Sequence, residues 1–198
     1  LVLRQHWRKL ASGVGLCVGG TAANAVIVLY MSTYAIRQLS MPPTTALFAG
    51  VAAGLITLIA APIAGALSDR FGRRKLIGTS YALIALSIYP AFLLIHAVPT
   101  LPTLLAVVVV LGALNAGGAA PVIIGLAEIF PTQVRATGMS LVYALGVALF
   151  GGFGQFIVTW LIAISGNPFA PALYVIACCV ATLVALRFTP ETSGTKLS

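Results

Sequence analysis

The chain has 198 residues, 60% of them hydrophobic and 7% charged, with mean hydropathy +1.09 and a formal net charge of +8. Soluble domains are about 25% charged, so this composition excludes a soluble globular domain, a disordered chain and a disulfide scaffold. It leaves an all-α integral membrane protein with apolar residues for about six spans of roughly 20 residues each.

Residues 1–10 carry Arg4, Arg8 and Lys9 and read as a cytoplasmic linker. The chain opens Leu1-Val2-Leu3-Arg4 with no initiator methionine, and is expected to be a piece of a longer protein. An uncharged block of 27 residues then runs to Arg37 and predicts a helix over about 11–36. Within it Thr21 and Asn24 share a face at i, i+3 spacing, and Tyr30 and Tyr34 form an i, i+4 pair nearer the outer interface. The next 31 uncharged residues, up to Asp69, predict a helix over about 45–67. Its Gly50 and Gly54 form a G-x-x-x-G read as helix packing.

Between Lys75 and Glu128 lie 52 residues with no Asp, Glu, Lys or Arg, long enough for two helices. The run from His96 to Pro102 breaks them, because proline clusters mark turns. Helices are predicted over about 76–95 and 102–126, with Asn115 mid-helix in the second and His96 solvated at the outer loop. A last block of 51 residues, from Arg135 to Arg187, is broken at Ser165-Gly166-Asn167-Pro168. It predicts helices over about 138–163 and 170–187, followed by a cytoplasmic tail at 188–198. In the fifth helix Ala144, Ala148, Gly152, Gln155 and Thr159 fall on one stripe, with Gln155 its strongest hydrogen-bonding group. Pro62, Pro90 and Pro121 are expected to kink or weaken their helices. A transmembrane β-barrel is excluded, since the runs are continuously apolar and about twice a barrel strand's length.

With the N-terminus taken as cytoplasmic, ten of the eleven basic residues fall on the cytoplasmic side and only Arg37 falls outside. This positive-inside asymmetry predicts both termini in the cytoplasm, with anionic lipid headgroups as the partners of the basic loops. Nucleic acid is not an expected partner, since no aromatic platform accompanies the short basic run Arg73-Arg74-Lys75. Cys17, Cys178 and Cys179 all sit in predicted spans, at spacings that suit neither a metal site nor a disulfide framework, and read as small packing groups. No cofactor or metal is expected. No hydrolase or metalloprotease motif is present, and two His, one Asp and two Glu leave few acid–base candidates, so an enzyme is not expected.

The loop after the second helix reads Gly65-Ala66-Leu67-Ser68-Asp69-Arg70-Phe71-Gly72-Arg73-Arg74-Lys75. Gly65 would let a helix end approach its neighbour, Gly72 permits a tight turn, Asp69 can sit against a helix N-terminus, and the arginines can reach carboxylates. This stretch resembles the G-x-L-[SA]-D-R-x-G-R-[RK] signature of the major facilitator superfamily. The second loop, Glu128-Ile129-Phe130-Pro131-Thr132-Gln133-Val134-Arg135-Ala136-Thr137-Gly138, resembles the E-x-F-P-T-x-V-R-x-T-G stretch of the metabolite:proton symporters within it, with Gln133 where those proteins often carry arginine. The Ala148-Leu149-Phe150-Gly151-Gly152-Phe153 and Thr159-Trp160-Leu161-Ile162 runs are most similar to the citrate/tricarballylate-like branch.

The resemblance implies the C-terminal six-helix half of a twelve-helix transporter in a bacterial inner membrane. The implied activity is proton-coupled symport of a small organic acid such as citrate or a related di- or tricarboxylate. Its partners would be the solute, protons, lipid and an N-terminal half outside this chain. It further implies a cytoplasmic charge network of Asp69, Arg70, Arg73, Arg74, Glu128 and Arg135, with Glu128 facing Arg73. No ionisable residue occupies the centre of a span, so the proton-carrying group is expected in the other half. The candidate cavity residues here are Asn24, Tyr30, Tyr34, Asn115 and Gln155. Two other possibilities are a proline/betaine-type osmolyte symporter and a truncated, non-transporting membrane protein.

Overall fold

The computed structural model describes the backbone of residues 7–129 and 135–189, and the side chains of 10–127 and 135–189. Among the described residues there are six helical rods long and apolar enough to cross a membrane. The first, α1, joins Trp7–Ala23, a π-helical segment Asn24–Tyr30 and Met31–Gln38. Then come α2 (Pro43–Phe71), α3 (Arg73–Ala97) and α4 (Leu101–Ile129). The fifth rod, α5, joins Arg135–Gly146, a second π segment Val147–Gly152 and Gly154–Ser165; α6 is Ala170–Arg187. The helix periods thus agree with the spacing of charges, but helix ends run up to four residues past the predicted limits. Trp7 to Leu10, given above to the linker, already form the first turn of α1. Headgroup-level residues stay helical because the helix satisfies their backbone groups internally.

Local chemistry sets the breaks. Pro43 occupies the first position of α2, where its missing N–H costs nothing. Gly72 ends α2 at φ 94°, ψ 136°, a conformation that effectively requires glycine, and its N–H donates to the Ser68 carbonyl at 3.1 Å. Gly166 closes α5 in the left-handed region at φ 63°, donating to the Ile162 carbonyl at 2.9 Å. Asn167 Oδ1 then accepts from the Phe169 N–H at 2.9 Å and turns the chain into α6.

The rods pack through small residues, as expected where lipid is as apolar as the side chains and van der Waals fit drives association. A Cβ on Gly15 would lie 2.7 Å from Ala185, and one on Gly146 would lie 2.8 Å from Cys17. A Cβ on Gly112 would lie 2.9 Å from Ile56. These glycines bring α1 against α6 and α5, and α4 against α2. Two predicted roles differ. A Cβ on Gly65 or Gly54 meets nothing within 4 Å among the described residues, so neither glycine serves a close approach here. Both lie on α2, whose outward face carries exposed Leu55, Leu58, Ile59 and Ile63.

α1 is the most enclosed rod, with Ala22, Ala23, Ala25, Val26 and Ile27 at 0% exposure. It is tied to α6 by one hydroxyl. Gly19 N–H donates to Thr182 Oγ1 at 2.8 Å, and that hydroxyl donates to the Gly15 carbonyl at 2.8 Å. Thr182 is fully buried. Its side chain therefore engages both members of one helical turn of α1. The three cysteines are buried and unbridged.

Candidate solute cavity

A cavity of about 570 Å³ opens between α1, α2, α3, α4 and α5, a size that suits a small organic molecule. Its polar wall comprises Thr21 and Asn24 from α1, Thr57 from α2, Tyr81 from α3, Asn115 from α4, and Tyr143 and Gln155 from α5. Cys17, Leu29, Val122, Ile123, Val147 and several alanines and glycines complete its lining. Among the described residues no Asp, Glu, Lys, Arg or His lines it. Asn24, Asn115 and Gln155 are thereby brought together from three helices.

The π segments shape this wall. Asn24 opens the first, and Val147, Gly151 and Gly152 belong to the second. Each wider turn shifts the facing that an α-helical count assumes. Of the predicted stripe on the fifth helix, only Gly152 and Gln155 reach the cavity; Tyr143, Val147 and Gly151 replace the others. Thr21 Oγ1 donates to the Cys17 carbonyl at 2.9 Å and lies 3.4 Å from the Gly146 carbonyl, just where the second π segment begins.

Tyr30 and Tyr34 lie elsewhere. Both are buried, at 2% and 0% exposure, and neither lines the cavity. Tyr34 Oη donates to the Pro168 carbonyl at 3.0 Å and sits 2.9 Å from His96 Nε2. Phe92 packs edge-on against the Tyr34 ring at 4.9 Å, and Phe169 against His96 at 5.0 Å. Thus His96, expected to be solvated, is the last-turn residue of α3 in a clasp joining α1, α3 and the α5–α6 turn. Sequence spacing missed this because the partners are 62 and 134 residues apart.

Tyr81 is the residue that sequence reasoning overlooked. Its ring is fully buried, with Gly118 of α4 beneath it and Gly20 of α1 at its hydroxyl. A Cβ on Gly118 would come 2.6 Å from Cζ, and one on Gly20 would collide with Oη. The hydroxyl is buried without a hydrogen-bond partner among the described residues, as is Asn115 Oδ1, and both residues line the cavity. No sequence signal marked it: Tyr81 follows Thr79 and Ser80, and a tyrosine in a span does not show which neighbours its hydroxyl meets.

At one end of the bundle, Asp69 Oδ1 lies 3.4 Å from Arg73 Nη2 across the Gly72 break. The Arg73 side chain is 12% exposed and that of Asp69 66%. Arg70 stands over the Phe71 ring at 5.8 Å, Arg74 is exposed, and Arg135 is half-buried at the start of α5. The Glu128 side chain lies outside the described residues, so the expected Glu128–Arg73 pairing carries no geometry here.

The sequence matches the model of the Major Facilitator Superfamily over residues 12–197. The chain belongs to the Major Facilitator Superfamily. It is 28% identical over 195 residues to a citrate-proton symporter of Klebsiella pneumoniae, covering 98% of this chain and 44% of that protein. It is 30% identical over 199 residues to an ectoine/proline transporter of Corynebacterium glutamicum, covering 99% and 39%. Among solved structures, a D-xylose-proton symporter superposes with TM-score 0.77 at 22% identity, covering 99% of this chain and 46% of that one. The chain therefore spans somewhat under half the length of the relatives it matches, and its six rods form one half of the superfamily fold.

Proposed function

We propose that this chain is the C-terminal six-helix half of a proton-coupled symporter for a small organic solute, with both termini in the cytoplasm of a bacterial cell. Transport would proceed by alternating access, this half rocking against its partner around the cavity. The observation that carries the reading is the cavity itself, charge-free, largely apolar with a few convergent polar groups, and formed by five rods, with the Asp69–Arg73 pair at one bundle end. A carboxylate solute is the first reading, supported by the similarity to citrate-proton symporters. Since no cation lines this wall, the group that neutralises the carboxylates, and the one that carries the proton, would belong to the partner half. Asp69, Arg70, Arg73, Arg74, Glu128 and Arg135 would form the cytoplasmic latch, and Asn24, Asn115 and Gln155 the solute wall.

A second reading, a zwitterionic osmolyte such as proline, is favoured by the uncharged wall and by the similarity to ectoine/proline and proline/betaine transporters. The deciding experiment is uptake of labelled citrate and labelled proline by cells expressing the complete gene, with and without a protonophore. Protonophore-sensitive citrate uptake blocked by tricarboxylates supports the first reading. Proline uptake alone supports the second. Neither, at verified surface expression, refutes both.

A further inference from the structure

α1 is pinned on both sides of its first π segment, Asn24–Tyr30. On the N-terminal side the Thr182 hydroxyl of α6 accepts from the Gly19 N–H at 2.8 Å and donates to the Gly15 carbonyl at 2.8 Å. On the C-terminal side Tyr34 Oη lies 3.0 Å from the Pro168 carbonyl and 2.9 Å from His96 Nε2. A carbonyl only accepts, so the single phenol proton goes to Pro168 and His96 donates through Nε2. Tyr34 is fully buried with Phe92 edge-on against its ring, so this pin is enclosed as well as hydrogen-bonded. π turns are rare inside α-helices and concentrate at functional sites. One that persists needs contacts that fix the helix on either side of it.

The wider turn decides which side chain α1 shows to the cavity. Cys17, Gly20, Thr21, Asn24 and Ala25 form the stripe that enters the π segment. An α-helix would continue that stripe at Val28, one turn past Asn24 and two past Thr21. In the structure Leu29 takes that place, lining the cavity at 52% exposure, while Val28 packs against the core. The same extra residue brings Tyr34, rather than its neighbour Thr33, to His96 and Pro168. The π turn and the clasp thus require each other. We propose that α1 carries a register switch. With the clasp closed, Met31–Gln38 is held one residue out of α-helical phase with the inner part of the rod. With the clasp open, the π segment relaxes to α while Thr182 keeps the inner part fixed. The outer segment then turns by about 100°, one residue of helix, and Val28 replaces Leu29 in the cavity wall. The cavity is reshaped by this local rotation as well as by rocking of the whole half. Only the link to transport rests on the function proposed above; the register change is a property of the bundle itself.

The test uses the full-length protein in proteoliposomes, with its native cysteines replaced and single thiols introduced as Val28→Cys or Leu29→Cys. The rate of alkylation by N-ethylmaleimide is read at each site. With the clasp intact, Leu29→Cys should react about tenfold or more faster than Val28→Cys, the ratio that the clasp's hydrogen bonds can hold. Adding Tyr34→Phe removes the shared hydroxyl and keeps the ring; it should bring the two rates within about twofold or reverse their order. His96→Phe, which keeps a ring against Phe169, should do the same and decides if Tyr34→Phe does not fold. Equal rates with the clasp intact, or a ratio that neither clasp variant changes, overturn the inference. Equal acceleration at both sites also overturns it, since that is general loosening and not a change of register. A separate variant lacking Val28 loses the extra residue, so α1 becomes a continuous α-helix with the clasp kept. It should unfold at or above the wild-type temperature, yet take up solute about tenfold or more slowly, because the second register is gone. Wild-type uptake by that variant, or its failure to fold, overturns the switch. If the intact protein takes up neither citrate nor proline, the solute reading fails, and the alkylation ratios still decide the register change.

Discussion

The placement of Tyr81 can be tested by a double-mutant cycle that treats its ring and its hydroxyl separately. A Cβ on Gly20 collides with the hydroxyl, while its distance to Cζ is 3.5 Å, an ordinary contact. A Cβ on Gly118 lies 2.6 Å from Cζ and 2.9 Å from both Cε atoms, and so meets the ring itself. Overpacking a closed site by one methyl group costs about 1–3 kcal/mol. Gly20→Ala and Gly118→Ala should therefore each destabilise by about 2 kcal/mol, or about 2 °C in thermal unfolding of a full-length protein more than twice this chain's length. Adding Tyr81→Phe removes the oxygen that Gly20→Ala strikes and should restore most of the loss. It leaves the ring that Gly118→Ala strikes and should restore little there. Tyr81→Phe alone removes a buried, unpartnered polar atom, so it should be neutral or stabilising by about 1 kcal/mol. The assay is thermal unfolding of the purified full-length protein for the wild type and the five variants. A Gly20→Ala protein as stable as the wild type, or equal rescue of both glycine variants by Tyr81→Phe, would refute the described position of the ring.

Thr182→Val should destabilise by about 1 kcal/mol, since it removes the hydroxyl that Gly19 N–H and the Gly15 carbonyl share with α6 while conserving volume, and Thr182→Ser should retain most of the stability; thermal unfolding decides. Gly72→Ala should lower the yield of folded protein, because φ 94° with ψ 136° costs a side chain about 1–3 kcal/mol; monodispersity in detergent reports it. Asp69→Asn should leave stability nearly unchanged, since its carboxylate is 66% exposed and solvent-screened ion pairs contribute ~0–1 kcal/mol. It should nevertheless slow transport by the complete protein, and unchanged uptake at equal expression would remove Asp69 from the latch.

The number of the helices was legible because the charges are few and lie almost wholly between the spans. Lys75 to Glu128 and Arg135 to Arg187 could only be filled by paired helices. Asn24, Asn115 and Gln155 were legible for the same reason, as rare polar groups in apolar runs. The facing of α5 was not, because a period of 3.6 does not describe the wider turns at Val147–Gly152. Tyr81 was missed because a tyrosine in a span carries no sign of whether its hydroxyl reaches headgroups or is pinned over glycines from two other helices. The Tyr34–His96–Pro168 clasp depends on contacts between distant segments, which periodicity cannot show. At Gly65 the motif suggested a close approach, and among the described residues nothing lies within 4 Å of its Cβ position.

The charge-free wall has an electrical consequence. Moving one elementary charge through the membrane field is worth about 2.3 kcal/mol per 100 mV. The described basic residues of this half sit at rod ends, and its cavity wall carries no ion. Rocking this half would therefore displace almost no gating charge of its own. On the proposed function, any dependence of turnover on membrane potential would be carried by the solute, by a co-transported proton or by the partner half, and this bundle would act as an electrically silent jaw.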